Sequence, residues 1–137
     1  MNVLKVLIAA VLLGIEVVAG NSFAGEPSNM TQTIAGGGVT AKVTYLNPKA
    51  TDNPRFQVVL ETHSVNLDTY DLKSLSVLRD ETGKTYLADQ IENKGGGHHR
   101  ESILSFPGVS PEAKRIELLI KDISGVKERT FVWSLEQ

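Results

Sequence analysis

The strongest constraint on the fold is a period-two alternation of apolar and polar residues in short segments. In "GVTAKVTYL", Val39, Ala41, Val43 and Tyr45 share one face and polar residues stand between them. Six further segments alternate in the same way: "RFQVVLETH", "SLSVLRD", "KTYLADQI", "ESILSFPG", "KRIELLIKD" and "RTFVWSL". Because successive side chains of a β-strand point to opposite sides, each segment predicts a strand with one buried face.

Turn-forming residues separate these segments and decide the fold class. "NPKATDNP" (47–54), Glu81-Thr82-Gly83 and Ser124-Gly125 are typical of loops and hairpin turns. "PEAKRIELLI" is compatible with a helix, but its alternation favours a strand. The pattern predicts an all-β fold, a seven-stranded antiparallel immunoglobulin-like sandwich, with a small closed barrel as the alternative. The predicted core contains Phe56, Leu60, Leu104, Ile116, Leu118 and Trp133.

The first 24 residues have the composition of a secretory signal peptide. Lys5 ends a short positively charged head, and an apolar run extends from Val6 to Ile15. "SFA" has small residues at the two positions that a signal peptidase recognises before the cleavage site. We expect cleavage after Ala24, with a site after Ala19 as the second choice and an uncleaved anchor as the alternative. The apolar run is much shorter than the roughly 20 residues that cross a bilayer. The protein is therefore expected to be periplasmic or secreted, without membrane insertion after cleavage.

The rest of the chain is expected to form one domain, with a flexible lead-in at 25–35 and a β-sandwich at 36–137. The net charge is −2 and no basic stripe is present, which argues against nucleic acid as a partner. Cysteine is absent, so disulfides, thiolate metal sites and cysteine nucleophiles are excluded. The domain must therefore be stabilised by its core alone.

Strand parity predicts that all three histidines lie at one end of the sandwich. If the strands run alternately up and down, every second connection lies at the same end. These connections are 63–73, 92–99 and 122–127, and the first strand begins at that end after the glycines 36–38. We therefore expect one cluster of loops to contain both glycine triplets, His63, Asp68, His98, His99 and Asp122.

The segment that follows the second strand has its own local signals. The apolar parity shifts by one between Thr62 and Val65, so either a β-bulge re-aims His63 or the strand ends at Thr62. "NLDTYDL" has too few carboxylates, and no turn glycine, for a calcium loop. We instead expect Asp68 to cap a short helical turn, with Asp71 in the capping-box position.

The segment "NKGGGHHR", residues 93–100, has three interpretations. In the first, neutral imidazoles bind zinc or copper(II), with water or a carboxylate completing the shell; the ligands would be His63, His98, His99 and Asp68. Adjacent residues of a regular strand face opposite sides, so this requires the irregular backbone that glycines permit. In the second, the amides of Gly95, Gly96 and Gly97 bind an anion together with Lys94 and Arg100. In the third, the segment is a solvated hairpin loop that binds nothing.

Three stretches carry a resemblance to known proteins. "LETHSVNLDTYDLKSLSVLRDETGK", "GGGHHRESILSFPG" and "IELLIKDISGVKERTFVW" resemble a family of small secreted bacterial β-sandwich proteins of unassigned function, over roughly residues 36–135. This resemblance implies a secreted sandwich and no particular ligand. The predicted architecture is also similar to that of periplasmic copper-binding sandwiches, but a methionine-rich loop is lacking because Met30 is the only methionine left after cleavage. Copper(I) is therefore not expected.

Two functions remain open. Neither HExxH, GxSxG nor a P-loop occurs, so an enzyme is not expected. The first expectation is an exported binding module with a divalent-metal site among the histidines. The alternative is a structural or interaction module that docks another exported protein through a sheet face or edge. An apolar patch would favour this alternative, and Val59, Leu119 and Val132 are its outward candidates.

Overall fold

Nine strands in two antiparallel sheets make up most of the structure, a computed structural model that describes residues 29–49 and 53–135. The predicted signal peptide, 1–24, lies outside the described residues. The strands are β1 Thr31–Gly36, β2 Val39–Tyr45, β3 Arg55–Thr62, β4 Ser76–Asp80, β5 Thr85–Leu87, β6 Gln90–Gly96, β7 His99–Ser105, β8 Arg115–Ile123 and β9 Val126–Ser134. The all-β prediction is confirmed, whereas the count of seven strands is wrong.

The two sheets have the orders β1-β2-β3-β7-β6 and β5-β4-β8-β9. Helical structure in the described part of the chain is limited to a 3₁₀ turn, Leu67–Thr69, and one short helix, α1 Leu72–Leu75. No helix within these residues is long and apolar enough to span a bilayer.

The first uncounted strand is β1, which lies within the segment predicted to be a flexible lead-in. Its sequence, TQTIAG, has no clear apolar alternation. It forms because it pairs with β2 and because its residues are bound by the opposite sheet. The Gln32 amide donates to the Val132 carbonyl and accepts from the Val132 N–H, and Trp133 Nε1 donates to the Met30 carbonyl at 3.1 Å.

The second difference is that "KTYLADQI" forms two strands in different sheets. β5 pairs with β4, whereas β6 pairs with β7. The chain therefore crosses from one sheet to the other at Ala88-Asp89. The alternation continues through the crossing, which is why the pattern alone predicts a single strand. The segment "KRIELLIKD" forms β8, as predicted.

The core lies between the two sheets. All six predicted core residues are buried. Trp133 of β9 contacts rings from the other sheet, with centroids 5.1 Å from Phe56 and 5.8 Å from Tyr45. Full burial of a large apolar side chain contributes about 1.5–3 kcal/mol, so these contacts make a rigid base for the loops at each end.

Candidate functional site

Four connections meet at one end of the domain. We call this end the loop pole and define it as the connections 37–38, 63–71, 97–98 and 124–125 with the adjoining strand residues Glu61, Thr62 and His99. The Ser124 hydroxyl donates to the Gly37 carbonyl, and the Thr62 hydroxyl donates to the Gly38 carbonyl at 2.7 Å. The Leu67 N–H donates to the Gly97 carbonyl at 2.9 Å.

The predicted convergence is therefore present despite the wrong strand count. β1 comes before the first turn of the loop pole, so this extra strand does not change the end of the domain at which each later turn lies. The pairing directions place β5 and β6 in the same orientation, both running toward the loop pole. Splitting one predicted strand into these two consequently does not change the end at which the next turn lies.

Two buried arginines hold the loop pole together. The first, Arg129, is 1% exposed, and its guanidinium donates to the Ile123 carbonyl at 3.1 Å and to the Gly36 carbonyl at 2.6 Å. Burial lowers the pKa of Arg129, and the Tyr70 phenol acts in the opposite direction. The contacts tie the β8–β9 turn to the β1–β2 turn, which gives this cation a structural role.

The second is Arg100, the last residue of the histidine segment, and it is also buried. Its guanidinium donates to the carbonyls of Leu67 and Tyr70 and to Asn93 Oδ1, the last at 3.0 Å. These bonds attach the 63–71 segment to the inner side of β6 and β7. Arg100 therefore supports the loops. Its guanidinium N–H groups, which an anion would need as donors, already bind these protein oxygens.

The glycines permit a close approach between the β6–β7 turn and Asp68. Gly97 and His98 form a two-residue turn in which Gly97 has φ +68°, the positive first position of a type II′ turn. The Gly97 N–H donates to Asp68 Oδ1 at 3.0 Å. A Cβ on Gly96 would lie 2.6 Å from the same oxygen. This contact explains why the segment needs glycine before the histidines.

The local predictions for 62–71 need correction. Asn66 caps the 3₁₀ turn and Asp71 caps α1, so Asp68 is not the capping residue. β3 ends at Thr62, whose hydroxyl oxygen accepts from the N–H groups of Ser64 and Val65 at 3.3 and 3.2 Å. The parity shift therefore comes from a turn after the strand, and no bulge is needed to produce it.

The three histidine side chains are exposed at the loop pole. The backbone of His98 is joined to the end of β3, because the Thr62 N–H donates to the His98 carbonyl at 3.0 Å, and His63 directly follows Thr62. His99 lies directly opposite Glu61 in the β3–β7 register, and its Nδ1 is 3.2 Å from Glu61 Oε1. Within residues 29–49 and 53–135, no group of three or more His, Asp or Glu residues is placed so that it could hold a metal ion.

Glu61 is the residue that the sequence analysis missed. It lies two residues before His63, and the alternation assigns it only to the outer face of its strand. Its position opposite His99 depends on the pairing of β3 with β7, which are far apart in the chain. Nothing in the local pattern reveals that pairing.

The outward apolar residues do not form the patch that would favour a docking face. Leu119 is only 2% exposed, and Val59 and Val132 are half-buried. In the part of the chain that the structure describes, the exposed large apolar side chains are Leu46 and Leu87, at 41% and 67%. Leu87 belongs to β5, an edge strand.

No family model, curated protein or solved structure matches this chain. The resemblance to small secreted bacterial proteins therefore stays an expectation based on the stretches quoted above.

Proposed function

We propose that the protein is an exported, non-enzymatic binding module that takes one divalent metal ion, zinc or copper(II), at the loop pole. The observation that carries this proposal is the pairing of His99 with Glu61. His99 Nδ1 is 3.2 Å from Glu61 Oε1, and in the proposed site Nδ1 carries the proton while Nε2 binds the metal. Metal-binding histidines commonly have such a carboxylate behind them, because it fixes the tautomer and makes the ring a stronger ligand.

His98 and His63 are the further ligands of the proposed site. In the β3–β7 register His99 lies opposite Glu61; His63 follows Glu61 by two residues, and His98 directly precedes His99. In the proposed site their imidazoles approach one zinc ion at about 2.0–2.1 Å per Zn–N bond. Both side chains are exposed. Asp68 is left out of this ligand set because its carboxylate binds the Gly97 N–H.

The immunoglobulin-like classification is part of the same proposal, and the strand order supports it. Without β1, the sheets read β2-β3-β7-β6 and β5-β4-β8-β9. These orders correspond to A-B-E-D and C′-C-F-G of an immunoglobulin domain. The connection 63–75 and the turn 124–125 then take the places of the B–C and F–G loops, which bind ligands in variable domains.

A metal titration of the tag-free protein tests the proposal. We expect one equivalent of zinc or copper(II) to bind and to raise the melting temperature, since the metal binds the folded state. His99→Ala should abolish this rise. Glu61→Gln should weaken affinity about 10–100-fold, the usual effect of losing the carboxylate behind a ligand histidine. The control is Glu128→Gln on β9, which should bind as the wild type does.

Two results would contradict the proposal. One is the same melting temperature with and without metal for wild type and His99→Ala. The other is full affinity in His63→Ala/His98→Ala, which would leave His99 as an isolated histidine. Protonated imidazole does not bind metals, so affinity should fall in acid.

The interaction module is the second candidate function, and one observation favours it. Leu87 is two-thirds exposed on edge strand β5, and β6 begins only three residues later at the edge of the other sheet. An exposed large apolar side chain and unpaired strand edges are typical of surfaces that bind other proteins, and this side of the domain has both.

A further inference from the structure

The two sides of the domain differ in how their strand edges are closed. On one side, β1 and β9 are joined by the hydrogen bonds of Gln32 to Val132, of Trp133 to Met30 and of Arg129 to Gly36. On the other side lie β5 and β6. Among the described residues, no hydrogen bond joins β5 to β6, and no partner lies on the outer edge of β6.

The outer edge of β6 has backbone groups available for a further strand. A two-residue turn follows Gly96, so Gly96, Lys94 and Glu92 are the residues that bond to β7. The N–H and C=O groups of Ile91 and Asn93 therefore point away from the sheet, whereas Gly95, with φ +77°, departs from regular strand geometry. An edge of this kind is a template for pairing with another chain.

The side chains of β6 specify what can pair there. Glu92 and Lys94 flank Asn93, lie on the outer face of the sheet and are both exposed. In an antiparallel pair of two β6 strands centred on Asn93, each Glu92 lies opposite the Lys94 of the other copy. These are non-hydrogen-bonded positions, where opposite side chains approach most closely. Two β6 strands related by a two-fold axis therefore place opposite charges against each other.

We propose that two copies of this chain pair through β6, joining their five-stranded sheets into one continuous sheet. Asn93 lies at the two-fold axis and exchanges backbone hydrogen bonds with its counterpart, while Ile91 lies opposite Gly95 of the second copy. An isologous contact of this type closes after two subunits and does not propagate. The inference is independent of the metal site, which lies beyond the end of β6.

Sedimentation equilibrium of the protein in the presence of a chelator tests this pairing. The wild type should show a concentration-dependent dimer. Glu92→Lys or Lys94→Glu alone places like charges opposite each other in two places, so each should raise the dimer dissociation constant at least about tenfold. The double substitution Glu92→Lys/Lys94→Glu exchanges the charges and should restore the dimer.

Matched controls separate this pairing from other kinds of association. Glu128→Lys makes the same charge change on β9 and should leave the dimer unchanged. Within one copy Glu92 is 3.9 Å from Arg55 and Lys94 lies opposite Glu101, so the melting temperature of each variant is measured as well, and dimer dissociation is compared where every variant is folded. A wild type that stays monomeric at every concentration reached overturns the proposal. A dimer that both single substitutions leave intact also overturns it, because the contact then lies elsewhere. Failure of the double substitution to restore the dimer excludes the two-fold register centred on Asn93.

Discussion

Substitution of Gly37 by alanine tests whether the loop pole is held by close contact between its turns. Gly37 has φ +61°, and a Cβ there would lie 2.1 Å from the Ser124 carbonyl oxygen. The left-handed backbone alone costs an alanine about 1–2 kcal/mol. The steric contact involves backbone, so the two turns must separate.

The separation adds a second cost that can be worked out from the hydrogen bonds. It breaks the bond from the Ser124 hydroxyl to Gly37, about 0.5–1.5 kcal/mol, and the charge-assisted bond from Arg129 to Gly36, about 1.5–3 kcal/mol. Gly37→Ala should therefore lower the free energy of unfolding by about 3–6 kcal/mol. Gly83→Ala is the matched control, because Gly83 has φ +88° and its added Cβ would meet nothing within 4 Å.

Urea unfolding followed by the fluorescence of Trp133 measures both variants, since Trp133 is the only tryptophan of the chain and is buried. Gly83→Ala should lose only about 1–2 kcal/mol. The free energies of unfolding of Gly37→Ala and Gly83→Ala should therefore differ by at least about 2 kcal/mol. This corresponds to roughly 10 °C in melting temperature for a domain of this size. Equal losses in the two variants would refute the close-contact account of the loop pole.

Three further predictions concern the loop contacts, the acid limb and the core. Gly96→Ala should destabilise the protein by about 1–3 kcal/mol, and adding Asp68→Ala should recover part of that loss; purely additive effects in the double-mutant cycle would exclude their contact. The Thr82 hydroxyl, with further hydrogen bonds, holds the pKa of Asp80 below its ordinary value of 3.8. The charged form therefore stabilises the fold above about pH 5, and this stability is lost as the pH falls through the folded pKa. Asp80→Asn should accordingly differ most from wild type above about pH 5, and a pH-independent gap would contradict this. Leu104→Ala should cost about 2–5 kcal/mol in chemical denaturation because Leu104 is fully buried, and a loss under about 1 kcal/mol would be incompatible with that burial.

The alternation predicted the fold class and core because burial against one face is a local property of each strand. Phe56 and Trp133 are recognised as core residues without knowledge of which strands pair. β1 was missed for the opposite reason. Its six residues carry little apolar signal and are ordered by β2 and by the side-chain bonds of Gln32 and Trp133, which come from distant parts of the chain.

The candidate site was predicted in part. Counting strand directions predicted that His63 and His98 lie at the same end of the domain, because the direction of each strand decides where its turn lies. The prediction holds although the strand count was wrong. The ion-pair and hydrogen-bond partners of individual side chains could not be predicted from the sequence, since they depend on the register between strands that are distant in the chain. Glu61 faces His99 through the β3–β7 pairing, and Asp68 binds Gly97 across two loops.

The most direct test of metal binding at the loop pole is a long-range proton–nitrogen NMR spectrum of the imidazole rings, recorded with and without zinc. We expect His99 to carry its proton on Nδ1, facing Glu61, and one equivalent of zinc to shift the resonance of its Nε2. We also expect zinc-induced shifts of ring nitrogens in His63 and His98. An Nε2-protonated His99, or spectra that zinc leaves unchanged, would contradict the proposed metal site.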